Sequence, residues 1–244
     1  MKRQRFTAFL FSAFFILSFS DICFSQNAGV NFMLGFPQGE FKQNVDRKGY
    51  GIAGHFMFWD VSPSIPFSLG INAGFMTYGN ESRTEPFSMT IPDVKVNVDR
   101  TNNIVNFHLL LQVMPPLGAV RPYMEGLLGG AYLYTSTEIK SQGGALQDVA
   151  SSTNFSDWAW SYGGGGGLMF KVFENDKIDT EPSNGEPKVS SVWIDLKARY
   201  LLGTQAEYLK EGSVKIQGTN VTYQSQKSKT DILTAHIGVV VYFH

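Results

Sequence analysis

A two-residue alternation of apolar and polar side chains recurs along most of this chain, and it constrains the fold more than any other feature. Segment 189-203 shows it most clearly, because every second position is apolar. Those positions hold Val192, Ile194, Leu196, Ala198, Tyr200 and Leu202. The positions between them hold Trp193, Asp195, Lys197 and Arg199. Because successive side chains of a β-strand point to opposite faces of its sheet, the pattern predicts strands with one apolar and one mixed face.

The alternation recurs in eight segments, each about ten residues long or longer. They lie near 28-36, 49-60, 66-79, 98-113, 120-136, 157-173, 189-203 and 231-243. A tilted strand of roughly 9 to 11 residues crosses the hydrocarbon layer of a membrane, and single-chain bacterial barrels have an even number of strands. The predicted fold is therefore all-β, an eight-stranded antiparallel up-and-down transmembrane β-barrel.

The second face of these segments distinguishes a membrane barrel from a soluble sandwich. A soluble sandwich turns its apolar face inward and exposes many Lys, Glu and Asp residues to water. Here the second face is dominated by Gly, Ser, Asn and His, with a few charges of both signs, which suits a narrow polar interior. Beyond residue 25, no run approaches the ~18 apolar residues that a spanning helix needs. A soluble lipocalin-like ligand binder stays open as a further class.

The first 25 residues have the pattern of a cleaved signal peptide. A basic cluster precedes an apolar run over 6-19, which is the arrangement of a secretory leader. Small residues at the expected positions place the cleavage after Ser25. The domain prediction is a signal peptide over 1-25 and an outer membrane β-barrel over 26-244.

The composition of the mature chain excludes a disulfide-held fold and gives no sign of a nucleic-acid binder. The only cysteine, Cys23, leaves with the leader, so disulfides cannot hold the domain together. A lipid anchor on Cys23 is disfavoured, because the residue before it is Ile22 rather than a small one. The leader removes three basic residues and one acidic residue, which leaves 17 basic against 20 acidic residues. This balance offers no electrostatic basis for binding nucleic acid.

The connections between the segments alternate in length, as in outer-membrane barrels with short periplasmic turns and long external loops. Those at 61-65 and 114-119 are brief. Long polar connections lie at 37-48, 80-97, 137-156 and 204-230. The link 174-188 departs from this rule, because it is long where a short turn is expected. Both termini are expected in the periplasm, and no further domain is expected after the eighth segment.

Two stretches carry a family resemblance. The first is Arg121-Pro122-Tyr123 followed by Glu125, Gly126, Gly129 and Gly130. The second is the run Gly163 to Gly167 leading into Leu168, Met169 and Phe170. Both resemble the OmpA/OmpX-type outer membrane β-barrel domains, particularly the small versions common in Bacteroidetes-like bacteria. The resemblance implies the fold and the membrane, and it implies no activity.

The polar face of the predicted strands includes charged and histidine side chains of both signs. They are His55, His108, Glu125, Lys171, Asp195, Lys197, Arg199 and His236. The interior of an eight-stranded barrel is just wide enough for side chains to fill it, and charges buried there must be paired. We therefore interpret this set as a polar network in the lumen with a structural role.

Two more specific interpretations of the same residues, a lipid-hydrolysing site and a metal site, are disfavoured. A lipid-hydrolysing site would combine His108 or His55 with Glu125 and a serine, but alternation turns both histidines away from lipid and no serine forms a local motif with them. A metal site would require the histidines to converge, and their spacing is not that of a ligand set on one strand. The run Gly163 to Gly167 lacks the Lys-Ser/Thr of a phosphate loop, so we expect it to let large side chains pack against bare backbone. No catalytic residue, metal or cofactor is predicted.

Aromatic residues near the strand ends are interpreted as anchors at the two membrane interfaces. Examples are Trp59, Tyr78, Tyr132, Tyr134, Trp158, Trp160, Tyr162 and Tyr200. In a soluble protein the same rings would belong to the core, so they favour a membrane only together with the alternation.

The predicted function is that of a non-enzymatic integral protein of the bacterial cell outer membrane with a porin-like, OmpA-like architecture. A structural or surface-interaction role would fall to the long external loops. The expected partners are outer membrane lipid and lipopolysaccharide, together with an envelope protein; no nucleic acid is expected, and the chain is expected to be a monomer. The alternative is a transport role, as a narrow pore or a component of an envelope secretion complex.

Overall fold

The computed structural model describes residues 26–61, 66–88, 91–141, 148–175, 188–217 and 220–243. The predicted signal peptide and most of the link 174-188 lie outside these residues. Among the described residues, no helix is both long enough and apolar enough to cross a membrane.

The described chain is almost entirely β-structure. Its elements are β1 (Gln26–Pro37), α1 (Gly39–Asn44), β2 (Gly49–Trp59), β3 (Phe67–Ser88), β4 (Ile91–Val113), β5 (Val120–Ser141), β6 (Asp148–Glu174), β7 (Val189–Gly203), β8 (Gln205–Gln217), β9 (Asn220–Lys229) and β10 (Ile232–Phe243). Eight strands close into one antiparallel barrel in the order β1-β10-β7-β6-β5-β4-β3-β2, and β8 pairs with β9 in a separate sheet. The predicted all-β, eight-stranded antiparallel barrel is confirmed.

The register around the barrel sets its shape. Following the paired residues from Asn27 through each strand in turn leads back to β1 at Pro37, ten positions further along. With eight strands at the usual spacing, this stagger corresponds to a strand tilt of roughly 41° from the barrel axis. A barrel of these proportions has an interior that side chains can fill.

The two ends of the barrel differ in their connections. The short-turn end holds the start of β1, the end of β10, the short connections from β2 to β3 and from β4 to β5, and the longer connection from β6 to β7. The hairpin end holds α1, the paired extensions of β3 with β4 and of β5 with β6, and the β8–β9 sheet. Among the described residues, the helix, the strand extensions and the separate two-stranded sheet therefore all lie at the hairpin end.

Three connections that were predicted as loops are mostly strand in the structure: 80-97, 137-156 and 204-230. Their sequences are rich in polar residues, which made them resemble loops, although backbone pairing itself needs no apolar face. Cross-strand hydrogen bonds accompany the pairing. Ser82 donates to Asp99 at 2.6 Å and Thr84 donates to Asn97 at 3.0 Å. The three long polar connections are therefore present, and most of their described residues are strand.

Burial follows the predicted alternation, with the apolar face turned outward. Val30 and Ile52 are 67% and 60% exposed on the exterior. Asp195 and His108 lie on the opposite face of their strands and are 0% exposed. A soluble barrel has the reverse distribution, because its exterior meets water. This barrel is apolar outside and encloses buried polar and charged side chains.

Most of the predicted aromatic anchors that the structure describes lie on the exterior. Trp158, Trp160 and Tyr162 occupy successive outward positions of β6 and are all exposed. The prediction is wrong for Tyr78, whose ring is buried and packs edge-on against Phe41 with their centres 5.5 Å apart. Being near a strand end does not decide which face of the strand an aromatic residue occupies.

Candidate functional site

Side chains fill the lumen in three layers. The inward side chains of β7 pass through these layers in order. From the short-turn end they are Trp193, Asp195, Lys197, Arg199 and Leu201, and all are buried. Trp193 belongs to an apolar cluster at the short-turn end, and Leu201 belongs to another that reaches the hairpin end. The charged side chains between these clusters form a central layer, which is the candidate site.

Arg199 and Glu125 form a two-point ion pair in the central layer. Nε of Arg199 donates to Oε1 of Glu125 at 2.5 Å, and Nη2 donates to Oε2 at 3.1 Å. Nη1 of Arg199 donates to Oδ1 of Asn72 at 2.8 Å. Both charged side chains are almost fully buried. Parallel hydrogen bonds of fixed geometry are what a buried pair needs to offset the cost of removing both charges from water.

The glycine run of β6 makes room for this pair. Gly165 is paired with Glu125 on β5 and with Arg199 on β7. A Cβ on Gly165 would lie 3.0 Å from Cγ of Arg199 and closer still to the backbone of β7. A Cβ on Gly167 would lie 2.7 Å from the ring of Tyr123. The predicted packing of large side chains against bare backbone is confirmed at these two glycines.

Asp195 forms a second ion pair nearer the short-turn end. Its Oδ2 lies 2.8 Å from Nζ of Lys197, and its Oδ1 accepts a hydrogen bond from the hydroxyl of Tyr123 at 2.6 Å. Asp195 and Lys197 are two positions apart on one strand, so their side chains share a face. Together with the Arg199–Glu125 pair, this arrangement gives Asp195 and Glu125 one basic partner each.

Two of the three histidines of the central layer lie against small hydroxyl residues. Nε2 of His108 lies 3.0 Å from Oγ of Ser161, and Nε2 of His236 lies 2.9 Å from Oγ1 of Thr234. His55 is buried without a hydrogen-bond partner for either ring nitrogen among the described residues. Each imidazole therefore keeps at least one ring nitrogen that the described side chains do not engage.

The structure brings seven of the eight predicted site residues into the central layer. They are His55, His108, Glu125, Asp195, Lys197, Arg199 and His236. Lys171 is separated from them, because it lies close to the end of β6 at the mouth of the barrel. Its Nζ is 2.6 Å from Oε1 of Glu174 and 5.3 Å from the centre of the Trp193 ring.

Four neutral side chains that complete the central layer were missed by the sequence analysis. They are Asn72, Tyr123, Ser161 and Thr234. All four lie on the inward face of their strands and are buried. Alternation places these four positions on the inward face of their strands. They were left out because only charged and histidine residues were considered as site residues.

The central layer does not assemble a nucleophile in the described part of the chain. Ser161 and His108 are in contact, but Nδ1 of His108 has no partner there. A serine–histidine pair needs an acid that orients the imidazole, and the carboxylate of Glu125 is held by Arg199 instead. Across the described ranges, no group of three or more His, Cys, Asp or Glu residues is placed to hold a metal ion.

Aromatic and sulfur side chains fill the lumen at the short-turn end. The rings of Trp193 and Tyr242 lie 5.9 Å apart, and the guanidinium of Arg121 lies 4.5 Å from the Trp193 ring. Met114 and Met169 complete the cluster. A cation stacked on a ring in this way is favoured by the negative charge of the ring face. This cluster separates the ionic layer from the short-turn end.

At the hairpin end, α1 covers the lumen from within the predicted connection 37-48. Phe41 of α1 is fully buried, and its ring packs edge-on against Tyr78 at 5.5 Å and Tyr208 at 5.2 Å. Since Tyr208 belongs to β8, the β8–β9 sheet and the helix close the barrel together.

The paired extensions at the hairpin end carry ion pairs of a different kind, exposed to solvent. Nζ of Lys140 lies 3.0 Å from Glu138 and 3.3 Å from Asp99. A hydrogen bond from Ser82, and then the ammonium of Lys140, lower the pKa of Asp99. Glu138 and Asp99 raise the pKa of Lys140. Exposed pairs of this type contribute little to stability.

No family profile and no curated protein matches the chain. The attachment invasion locus protein of Yersinia pestis is 15% identical over 89% of this chain and 96% of that chain, with a TM-score of 0.31. Neisserial surface protein A is 10% identical over 89% and 95%, with a TM-score of 0.36. A major outer membrane protein from Thermus thermophilus is 13% identical over 89% and 98%, with a TM-score of 0.34.

Proposed function

We propose that this chain is a non-enzymatic integral protein of the bacterial outer membrane, whose barrel anchors a β-rich surface outside the cell. The observation that carries the proposal is the reversed polarity of the barrel, with an exposed apolar exterior around a buried ionic layer. Water solvates such an exterior poorly, whereas hydrocarbon accepts it. A closed antiparallel ladder pairs the backbone groups of its strands, which is the condition for crossing lipid without helices.

The two ends of the barrel give it an orientation in this proposal. The short-turn end faces the periplasm and the hairpin end faces outward, because outer-membrane barrels have short periplasmic turns and longer external connections. The outward end then presents the extensions of β3 to β6, the β8–β9 sheet and α1. Exposed polar side chains such as Asn80, Ser82 and Thr84 suit contact with water and with a partner there.

The filled lumen supports anchoring over transport. The Arg199–Glu125 pair occupies the central layer, and apolar clusters that include Trp193 and Phe41 lie on its two sides. A permeant ion would have to displace buried paired charges, which costs several kcal/mol. The anchoring role therefore predicts no steady conductance across planar bilayers.

Cell fractionation and gel mobility test the proposal together. We expect the mature protein in the outer-membrane fraction, and we expect the detergent-extracted protein to migrate differently before and after boiling. Protease added to intact cells should cut within β8–β9 and spare the turn that joins β4 to β5. Recovery in the soluble fraction with one gel position would contradict the proposal.

The transport alternative has its own tests. Reproducible single-channel currents from the purified chain would favour a narrow pore. Stable co-purification with other envelope proteins after mild extraction would favour a component of a secretion complex. Neither result is expected for a barrel that acts as an anchor alone.

A further inference from the structure

A basic groove of about 220 Å³ lies at the hairpin end, where the end of β1 meets α1 and the turn that leads to β2. Three of its lining residues are basic, namely Lys42, Arg47 and Lys48, and one is acidic, Asp46. All four are exposed. Three basic residues against one acidic residue leave the lining with a net charge of +2.

The two lysines of this groove carry charges that the described neighbours do not cancel. Within the described part of the chain, neither Lys42 nor Lys48 forms an ion pair. The carboxylate of Glu40, the acidic residue of α1, accepts a hydrogen bond from the backbone of β9 at 3.1 Å. Nη1 of Arg47 donates to the carbonyl of Asn80 at 2.9 Å, which holds the guanidinium against β3.

The groove borders the apolar exterior of the barrel. Nζ of Lys48 lies 5.6 Å from the centre of the Phe36 ring, which belongs to the groove lining. Phe36 continues the outward row of β1 beyond Leu34, and Leu34 is paired with Tyr50 of β2. Leu34 and Ile52 are exposed on this outward face. The positive charge therefore lies directly beyond the last apolar positions of β1 and β2.

This position selects the class of anion. In a bilayer the lipid phosphate groups lie just beyond the hydrocarbon, and basic pockets at that depth bind lipid head groups. A lipid whose phosphate contacts Lys48 can lay its acyl chains along Leu34 and Ile52, whereas a free phosphate ion uses the charge alone. The basic groove and the apolar wall together therefore favour a phosphate that is carried by a lipid.

We propose that this groove binds a phosphate group of an outer-leaflet lipid, with the ammonium groups of Lys42 and Lys48 contacting the phosphate oxygens. The proposal rests on the proposed function, because only an outward hairpin end brings the groove to the outer leaflet. Arg47, which is held against β3, adds a third positive charge beside the phosphate. The bound lipid thereby ties α1 and the start of β2 to the edge of the membrane.

A lipid titration of the full chain tests the site. The chain is refolded in an uncharged detergent, because a phosphate-containing detergent would itself compete. The probe is lipid A, the phosphorylated lipid anchor of lipopolysaccharide, and native mass spectrometry counts its adducts on the chain. Lipid A stripped of its phosphates and inorganic phosphate are the two comparison arms. We expect saturable binding of lipid A, weaker binding of the stripped lipid, and no displacement by inorganic phosphate at matched concentration.

A double variant and a matched control locate the binding. Lys42→Gln/Lys48→Gln removes two positive charges from the lining and should weaken binding of lipid A by about 25-fold, or about 5-fold for each lysine. Lys227→Gln/Lys229→Gln removes two exposed lysines at the same end of the barrel but outside the lining. This control has the same net charge and should bind lipid A as the native chain does.

The outcomes separate this proposal from the proposed function. Equal affinity for lipid A with and without its phosphates, or equal affinities of the two double variants, would overturn the phosphate site. Displacement by inorganic phosphate at matched concentration would overturn the lipid as its source. The gel shift and fractionation of the same variants report separately on the outer-membrane barrel. A lost lipid site in a heat-modifiable outer-membrane protein therefore leaves the proposed function intact, whereas recovery in the soluble fraction contradicts it.

Discussion

Arg199 on β7 and Glu125 on β5 meet over Gly165, the β6 residue that is paired with both of them in the sheet. The ion pair thus spans an intervening strand, and it can do so because that strand has no side chain at the crossing point. The packing of the Arg199–Glu125 ion pair therefore depends on the glycine at position 165.

Removing one charge of this pair should destabilise the barrel strongly. Glu125→Gln keeps the shape of the side chain but leaves the Arg199 guanidinium buried without its counter-charge. We expect a loss of about 3 to 5 kcal/mol in the free energy of unfolding. Urea unfolding of the chain refolded into lipid vesicles measures this difference.

The exposed pair at the hairpin end provides the matched control for that substitution. Glu138→Gln removes a charge that is also paired with a cation but is exposed to solvent, so its effect should stay below about 1 kcal/mol. The double variant Glu125→Gln/Arg199→Met should recover part of the loss. Equal effects of Glu125→Gln and Glu138→Gln would show that the buried pair does not stabilise the barrel.

A side chain at Gly165 should prevent the barrel from closing properly. In Gly165→Ala the new Cβ meets Cγ of Arg199 at 3.0 Å and a β7 carbonyl at still shorter range, so we expect loss of the heat-dependent gel shift or a lower unfolding midpoint. Gly126→Ala is the control, because a Cβ there meets nothing within 4 Å. A Gly165→Ala barrel as stable as Gly126→Ala would refute the role given to this glycine.

The helix α1 should depend on Phe41 for its attachment to the barrel. Phe41→Ala removes a fully buried ring that packs against Tyr78 and Tyr208, and such truncations cost about 3 to 5 kcal/mol. We expect faster proteolysis between residues 38 and 48 in the folded, detergent-solubilised protein. Lys42→Ala, an exposed change on the same helix, should leave the cleavage rate unchanged.

The pKa of Asp99 should rise when its hydroxyl partner is removed. The hydrogen bond from Ser82 is the largest cause that lowers this pKa below its ordinary value of 3.8. A carboxyl group whose pKa is lowered by folding contributes stability above pH 3.8, and this contribution is lost as the pH falls through the lower folded value. In Ser82→Ala the pKa should therefore move up towards 3.8.

Carboxyl carbon chemical shifts followed through an acid titration measure the pKa of Asp99. Thr84→Ala is the control, because the Thr84 hydroxyl donates to Asn97 rather than to Asp99. A pKa of Asp99 that is the same in Ser82→Ala and in the native chain would refute the assignment of the cause.

The strands of the barrel could be predicted because each one has a local signal. Alternation in β7 shows both its faces, and the same holds for β4 and β10, where apolar residues such as Phe107 and Ile237 lie outward and His108 and His236 lie inward. The extensions of β3 to β6 are richer in polar residues and were predicted as loops rather than strands. Their pairing depends on a partner strand that the local pattern does not reveal.

The contents of the lumen were predictable as a set but not as pairs. Alternation identifies Glu125, Asp195, Lys197 and Arg199 as inward residues, yet it does not say which acid meets which base. Residues 74 positions apart form the Arg199–Glu125 pair, because closure of the barrel brings β5 and β7 to the two sides of β6. The same closure separates Lys171 from the layer by placing it at the mouth.

The amino-acid sequence by itself determined that strands form, how many enter the barrel and which face of each is apolar, because these properties depend on neighbours two residues away. Tertiary structure alone decided the ion-pair partners and the inward position of Tyr78 under α1. These features depend on the register between strands that are distant in the sequence. They also depend on how side chains from all the strands together fill one enclosed volume.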